Sequence, residues 1–480
     1  MIQARICVKI RGRDKNPPER KALNSNQKNL SAQEQYEKMV NTPVSRLITT
    51  LAVPTVISML VTSIYNMADT FFVSHITMEA SAAVGVVFPI MSLIQASGFT
   101  LGMGAGSLVS IRLGQKRERD ADVIASTAFF SAIGVGLLVT LFGSIFSSQF
   151  LSLVGASAAV LGHAQAYARY IFWGAPIMCA SFVLNNVLRS EGKAFFSMIA
   201  LASGGIINIL LDPFFIFALG LGISGAAIAT LVSQVISFSI LLSWFLRRKA
   251  VCRISIKNLT FKGGVLTKIV WTGFPSLARQ GLASVATILL NTTAGQYGDA
   301  AIAGMSITTK IIMFVASIMI GIGQGFSPVS GYNFGAKRFD RVRQAYRFML
   351  LSGFLIMAAF SLVIFIFAPQ IMAGFIEDER ARQIGAAALR WQVSFVPFHP
   401  LIVGTNMLMQ STRNIRAAAF LSMNRQGVYF IPAILILPRV LGLTGVEISQ
   451  FVADFLSALT AIPYLLHFFK KMGRMQEAAD

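Results

Sequence analysis

The sequence is dominated by repeated runs of apolar residues, each long enough to cross a lipid bilayer. A bilayer core about 30 Å thick needs roughly 20 mostly apolar residues to be crossed as an α-helix. Of the 480 residues, 55% are hydrophobic and only 13% are charged. This balance excludes both an array of soluble domains and a disordered chain. We therefore predict an all-α, multi-pass membrane protein.

The apolar runs predict twelve transmembrane helices, named α1 to α12 in chain order. Several runs are longer than one crossing requires, so we expect tilted or kinked helices that extend beyond the bilayer. The predicted limits are 47–73, 81–113, 122–147, 160–188, 193–218 and 222–246 for α1 to α6, and 266–294, 300–334, 342–367, 380–412, 415–439 and 443–469 for α7 to α12.

Positive charge is concentrated on one side of these predicted helices. Of the 41 Lys and Arg residues, 33 lie in or beside the N-terminal segment, the connections after α2, α4, α6, α8 and α10, and the C-terminal tail. Cytoplasmic loops retain Lys and Arg, whereas short external loops have few. We therefore expect both termini to be cytoplasmic in a plasma (inner) membrane protein. The net charge of +21 then reflects orientation, and no nucleic-acid partner is expected.

Charge and hydropathy divide the chain into five segments. Residues 1–46 are polar and basic without an apolar run, so they are expected to form a flexible cytoplasmic arm. Its basic residues either orient the first helix or rest on anionic membrane lipid. The other segments are an N-lobe over 47–246, a basic cytoplasmic linker over 247–265, a C-lobe over 266–469 and a cytoplasmic tail over 470–480.

The two halves of the chain match each other at a fixed offset of 221 residues. Six crossings return a chain to its starting side, so the copies have the same orientation and form a parallel repeat. Folds of this kind place substrate sites between the repeats and work by moving one against the other. The matched pairs include Pro54 with Pro275, Gly102 with Gly323, Gly104 with Gly325, Gly114 with Gly335 and Lys116 with Lys337.

Few acidic residues lie at membrane depth. Asp69, Asp212 and Asp454 fall well inside predicted spans, and Glu447 lies near the outer end of α12. A carboxylate at this depth is costly unless it faces a cavity, a cation or a proton, so each is a candidate functional residue. Among the basic residues in spans, Arg279, Lys310 and Arg425 either pair with these acids or extend to an interface.

Asp69 and Asp212 have the more polar surroundings. Tyr65 lies one turn before Asp69, and Asn208 lies one turn before Asp212. Pro213 cannot donate a hydrogen bond, so it frees a backbone carbonyl beside Asp212. Carboxylate, amide and carbonyl oxygens suit a small cation, and buried carboxylates also hold protons. We predict a site for H⁺ or Na⁺ here, and a purely structural role stays open. For Asp454 and Glu447 a structural role and a functional role are equally favoured.

Cysteine and histidine residues indicate no further chemistry. The three cysteines are far apart and lack a C-x-x-C spacing, so neither a disulfide framework nor a zinc site is indicated. The four histidines show no ligand spacing and no triad partners. We expect no cofactor, and no metal beyond a possible Na⁺ at Asp69 and Asp212.

Several segments together resemble the multidrug and toxic compound extrusion (MATE) family. The most specific is the Gly-Tyr-Asn-Phe-Gly-Ala stretch that begins at Gly331, after a glycine-rich α8. The resemblance implies a V-shaped pair of six-helix lobes that exports organic cations and amphipathic drugs in exchange for H⁺ or Na⁺. The other matching stretches are 54–69, 102–114, 188–192, 208–213, 273–280 and 323–335.

The resemblance also implies roles for individual residues. The coupling ion would bind to Asp69 and Asp212, and α1 would bend at Pro54. One branch of the family instead has a glutamate in α7 and an aspartate in α10, and this chain has no acid in either predicted span. It therefore looks MepA-like or DinF-like. The supporting polar positions of the N-lobe fall on Tyr65, Asn185, Asn208 and Thr230.

Two other functions stay open from the sequence. A lipid-linked oligosaccharide flippase of the same superfamily would line its cavity with Arg and Lys for a pyrophosphate. A membrane-embedded aspartyl enzyme could use two Asp residues on separate helices, although the duplication and the asparagine partners favour transport. The transporter is expected to act as a monomer on amphipathic or cationic small molecules within membrane lipid.

Overall fold

The computed structural model describes residues 32–477. Within this range every regular element is helical, and a main helix follows each of the twelve predicted spans. The all-α fold is thus confirmed. The helices are α1 Val44–Ser74, α2 Met78–Gly114, α3 Glu118–Ile145, α4 Ala158–Ser190, α5 Ala194–Pro213, α6 Gly222–Leu246, α7 Val265–Gly295, α8 Asp299–Gly335, α9 Phe339–Ala373, α10 Glu379–Phe395 and His399–Ser411, α11 Ile415–Met423 and Ile431–Leu441, and α12 Leu443–Glu477.

Three helices depart from a regular α-helix. A π-helix, Phe214–Ala218, extends α5 directly after Asp212 and Pro213. A second π-helix, Asn424–Phe430, interrupts α11, and the 3₁₀ turn Val396–Phe398 interrupts α10. Ten helices of the described chain are long and apolar enough to cross a bilayer, and α7 and α10 fall outside that group. The two parts of α10 have only 17 and 13 residues, which accounts for its absence from the group.

The duplication is visible in the backbone as well as in the sequence. Lys116 and Lys337, which match in the repeat, both have φ of 58° in the turns that follow α2 and α8. This left-handed conformation is uncommon for residues with a side chain. Its recurrence at matched positions indicates that the two lobes share one connection geometry.

The N-terminal segment differs in part from the expected flexible arm over 1–46. Residues 1–31 lie outside the described residues. Residues 32–41 form an N-terminal helix, because Ala32, Met39 and Val40 place apolar side chains on one face that packs into the core. Its end contacts the C-lobe, where the Asn333 amide donates to the Met39 carbonyl oxygen at 3.3 Å and Arg341 donates to the Thr42 carbonyl oxygen at 2.5 Å.

The connection between the lobes lies against the N-lobe. The Glu191 carboxylate, at the end of α4, accepts hydrogen bonds from the backbone N–H groups of Val251 at 2.8 Å and Cys252 at 2.7 Å. The Asp122 carboxylate of α3 accepts one from the N–H of Arg253 at 2.7 Å. These bonds attach the first part of the linker to the N-lobe before α7 begins.

The lobes pack against each other near the side of the bundle where the described chain begins and ends, here called the terminal side. There α1 packs on α8, and α2 packs on α7 and α8. The closest approach uses glycine: a Cβ atom on Gly104 would lie 2.0 Å from the Ile269 carbonyl oxygen, and one on Gly273 would lie 1.8 Å from that of Thr100. Only residues without a side chain allow α2 and α7 to come this close.

The lobes separate toward the opposite side, here called the far side. The face of α1 that packs on α8 is buried at Ala52 and becomes exposed at Asn66 and Thr70. The matching face of α8 is buried at Gly325 and exposed at Lys310. The result is a cleft between the lobes that opens on the far side.

We expect Gly273→Ala to destabilise the closed terminal side. The added methyl would overlap the backbone of α2, and overpacking of this kind costs about 1–3 kcal/mol. Thermal unfolding of the purified protein in detergent should show a lower melting temperature. Gly281→Ala is the matched control, because a Cβ there meets nothing within 4 Å on the same helix. Equal melting temperatures for the two variants would contradict this account of the lobe contact.

Candidate functional site

The strongest candidate site lies inside the N-lobe, between α1, α5 and α6. Asp212 is fully buried at the end of α5, and Asn208 and Thr230 are also buried. A Cβ on Gly205 would lie 2.7 Å from the Val61 side chain and 3.2 Å from that of Tyr65, so α1 and α5 are in close contact one turn before Asp69. Asp69 and Asp212 are close enough to interact electrostatically, although they are 143 positions apart in the sequence (212 − 69).

The hydrogen bonds in this site leave several oxygens unused. The Asn208 amide donates to Asp212 Oδ1 at 3.2 Å and to Thr230 Oγ1 at 3.5 Å. Among the described residues, no group donates to Asp212 Oδ2, Asp69 Oδ1 or Asn208 Oδ1, although all three atoms are buried. Buried polar atoms without partners are costly, so this site has capacity for a proton or a small cation.

The remaining predicted residues of the N-lobe differ in how they relate to this cluster. Tyr65 lies against α5 at Gly205 and is close enough to Asp69 to interact electrostatically. It does not donate to Asp69 Oδ1, which is unpaired in the described part of the chain. Asn185 is buried on α4, but no hydrogen bond in residues 32–477 joins its Nδ2 to the cluster. Pro54 lies in the interior of α1, which continues unbroken through it.

Tyr167 of α4 belongs to the site and was missed in the sequence. Its side chain is fully buried, interacts with Thr230 and lies within electrostatic range of Asp69 and Asp212. Tyrosine near the end of an apolar span is common as an interface anchor, so its position carried no distinct signal. Its hydroxyl donates to Met91 Sδ at 3.9 Å, so Tyr167 borders the acids without donating a hydrogen bond to them.

Asp454, in the C-lobe, has very different surroundings. Its carboxylate accepts hydrogen bonds from Arg425 Nε at 2.6 Å and Gln450 Nε2 at 2.8 Å, and His399 Nε2 lies 2.9 Å away. Asp454 is 2% exposed and His399 is 3% exposed. Every acceptor position is thus occupied by the protein, and the geometry is that of a helix-bridging ion pair between α10, α11 and α12.

Glu447 lies on the same helix, two turns closer to the far side. Its side chain is buried at 7% exposure. Within residues 32–477 it forms no ion pair. It is therefore separate from the Asp454 cluster and makes no contact with the N-lobe acids that would join it to them.

The N-lobe site does not resemble a resident metal centre. No group of three His, Cys, Asp or Glu residues in the described chain could hold a metal ion. The donor set of two carboxylates, an amide oxygen and a hydroxyl consists of hard oxygen ligands. This set contains no thiolate or imidazole, the ligands that Zn²⁺, Cu and Ni prefer.

The family model MatE matches the chain twice, over residues 54–214 and 275–435. The two matches begin 221 residues apart (275 − 54) and end 221 residues apart (435 − 214), as in the internal repeat. Together they cover more than half of the 480 residues. The chain belongs to the MATE family. Membership makes it a membrane transporter and not an enzyme, so the aspartyl enzyme is set aside.

Individual MATE relatives match most of the chain. The multidrug export protein MepA of Staphylococcus saprophyticus is 28% identical over 422 residues, covering 86% of this chain and 92% of that protein. MepA of Staphylococcus aureus is 26% identical over 436 residues, covering 90% and 96%. A solved structure of a multidrug resistance MATE family transporter in an outward-facing conformation has a TM-score of 0.87 and 27% identity, covering 91% and 98%. The chain is thus MepA-like, as its sequence predicted.

The two kinds of acid site predict different effects of neutralisation on stability. Asp454→Asn should leave the largely buried Arg425 without its counter-charge, which costs about 3–5 kcal/mol. Asp212→Asn should leave the melting temperature nearly unchanged, because the Asp212 Oδ2 atom has no donor to lose within the described residues. Thermal unfolding in detergent at neutral pH compares the two variants. A larger loss of stability for Asp212→Asn would refute the assignment of Asp454 as the structural acid.

Proposed function

We propose that this MATE transporter is a plasma-membrane antiporter that exports amphipathic and cationic drugs in exchange for H⁺ or Na⁺. The observation that carries the proposal is the pair of N-lobe carboxylates with unpaired oxygens. The MepA relatives are multidrug export proteins, which supports the choice of cargo. No cofactor is required, because the ion gradient supplies the energy.

The coupling ion binds between Asp69 and Asp212 in this proposal. Two carboxylates in one low-dielectric site repel each other when both are ionised, so an arriving proton or cation is held strongly. Asn208 orients Asp212 by donating to its carboxylate, and Thr230 accepts a hydrogen bond from the same amide. Tyr65 and Tyr167 border the acids. Asn185, which is buried on α4, is a supporting polar residue of this site. Binding of the ion removes charge repulsion between α1 and α5, which permits these helices to change their packing.

Transport follows from alternating access between the two sides. The terminal side, where the lobes pack closely, is assigned to the cytoplasm because of its many Lys and Arg residues. The cleft then opens outward, and the ion enters from outside. The proposed change in α1 begins at Pro54. The next residue, Thr55, donates a hydrogen bond to the Gly321 carbonyl oxygen of α8 at 2.7 Å. A bend at Pro54 would therefore act directly on the contact that closes the terminal side.

Neutralising either carboxylate should abolish coupled export. We expect Asp69→Asn and Asp212→Asn to reduce ethidium efflux from proteoliposomes to the level of protein-free liposomes, under an imposed H⁺ or Na⁺ gradient. Asp299→Asn is the matched control, because Asp299 is an exposed acid at the far end of α8. It should retain the wild-type rate. The gradient that drives wild-type export identifies the coupling ion.

Two results would contradict the proposal in different ways. Full activity in both carboxylate variants would show that the N-lobe acids do not couple transport. Absence of wild-type export under either gradient would remove drug efflux and leave the lipid-linked oligosaccharide flippase, which is tested with a fluorescent lipid analogue in the same liposomes.

Pro54→Ala should slow transport without removing the ion site. Alanine restores the missing helix hydrogen bond and stiffens α1 against bending. We expect at least a fivefold lower efflux rate, with unchanged binding of the coupling ion measured by calorimetry. Pro89→Ala in α2 serves as a control for loss of a proline inside a helix. A wild-type rate for Pro54→Ala would remove Pro54 from the mechanism.

A further inference from the structure

Lys310 of α8 is a charged residue at membrane depth that the coupling mechanism does not use. Ser317 is the middle residue of the 37-residue α8. Lys310 lies seven residues from it toward the far side, which is about 10 Å along the helix axis. That distance is smaller than half of the roughly 30 Å bilayer core. The Lys310 side chain therefore extends from a backbone position within the depth of the hydrocarbon region.

The side chain of Lys310 is directed to the cleft by its position on α8. Seven residues are nearly two full helical turns, so Lys310 and Ser317 share a face. The Ser317 hydroxyl lies 2.9 Å from that of Ser63 on α1, and Gly321 on the same face contacts α1 through Thr55. This face thus looks toward the N-lobe and not toward lipid. Lys310 is exposed because α1 has separated from α8 at its level.

The N-lobe wall opposite Lys310 is polar. The helices are antiparallel, so Thr70, seven residues beyond Ser63, lies at a level similar to that of Lys310. Asn66 and Thr70 are both exposed there. Asp69 lies on the same turn of α1 but about a quarter turn around the helix, on the face that packs toward α5. The Asp69 carboxylate therefore lies on the side of α1 away from the cleft surface formed by Asn66 and Thr70.

The C-lobe side of the cleft has excess positive charge. In the described part of the chain, Lys310 forms no ion pair. In the same lobe, Arg279 and Arg425 are close enough to repel each other, and Asp454 neutralises only one of them. Arg279 shares the inward face of α7 with the buried Ser276 and Ala286. A cation at this depth requires water or an anionic group as its partner.

We propose that Lys310 is a specificity-determining residue that binds the anionic group of amphiphilic substrates. Zwitterions would place this group, such as a carboxylate, on Lys310 and their cationic portion toward the acidic N-lobe. A charged hydrogen bond of this type is directional, so it distinguishes a free carboxylate from its ester. The inference rests on the proposed function, because it names a further class of cargo for the same cleft.

The test uses two fluorescent dyes that differ only at one group: rhodamine B, which has a free carboxylate, and its ethyl ester, which is a simple cation. Fluorescence anisotropy in lipid-free detergent gives each dissociation constant. We expect Lys310→Gln to weaken rhodamine B binding at least tenfold and to change ester binding less than twofold. Lys310→Arg should retain rhodamine B binding within threefold. Lys470→Gln, an exposed lysine in the last helix near the terminal side, controls for net charge.

Each outcome separates this inference from the proposed function. Wild-type export of the ester from proteoliposomes, together with selective loss of rhodamine B binding in Lys310→Gln, supports both. Equal changes for the two dyes in lipid-free detergent would overturn the inference and indicate that Lys310 acts on lobe closure. Lack of ester export by the wild type would overturn the proposed function, while the binding comparison would still decide the role of Lys310.

Discussion

The close approach of α2 and α7 at the terminal side is the contact on which the arrangement of the lobes depends. Gly104 and Gly273 bring backbone against backbone, where any side chain would overlap a carbonyl oxygen. In a membrane, helices gain little from removing apolar surface from water, so tight packing and hydrogen bonds must hold them together. A contact of this kind at one end of two long lobes leaves the other end free. The cleft is the consequence.

The duplication supplied two similar lobes, and substitution has made their interiors chemically different. At the offset of 221, Asp69 corresponds to Leu290 and Asp212 to Ala433, so the C-lobe has apolar residues where the N-lobe has acids. Of the two buried acids of α12, Asp454 lies at membrane depth and is fully occupied by Arg425, His399 and Gln450, whereas Glu447 lies near the outer end of the helix. A polar site with unpaired atoms has capacity for a ligand, whereas a fully hydrogen-bonded site makes the lobe more rigid. We therefore expect the coupling ion to bind in the N-lobe.

Much of this organisation could be predicted from the sequence because it depends on local patterns. Apolar length predicted the helices, and a one-turn spacing predicted the bond between Asn208 and Asp212. Contacts between distant segments could not be predicted in this way. Tyr167 lies near the acids only through the packing of α4. The sequence left Arg425 either to pair with an acid or to reach an interface, and the packing of α11 against α12 decides for Asp454. The N-terminal helix is polar over most of its length, so its packing against the core could not be predicted. Its buried residues are Ala32, Met39 and Val40.

The charges on the two walls bear on how such a transporter avoids moving without cargo. In the proposed mechanism the N-lobe acids are ionised before the ion binds, and Lys310 of the opposite wall has no ion-pair partner within the described residues, so the walls attract each other across the open cleft. Attraction through water over the width of a cleft is weak, but it strengthens as water is expelled. An ion bound at Asp69 and Asp212, as proposed, would reduce this attraction, and a substrate held by both walls would replace it with direct contacts. The charge arrangement that we propose for selection of the cargo would thus also make closure depend on what the cleft contains.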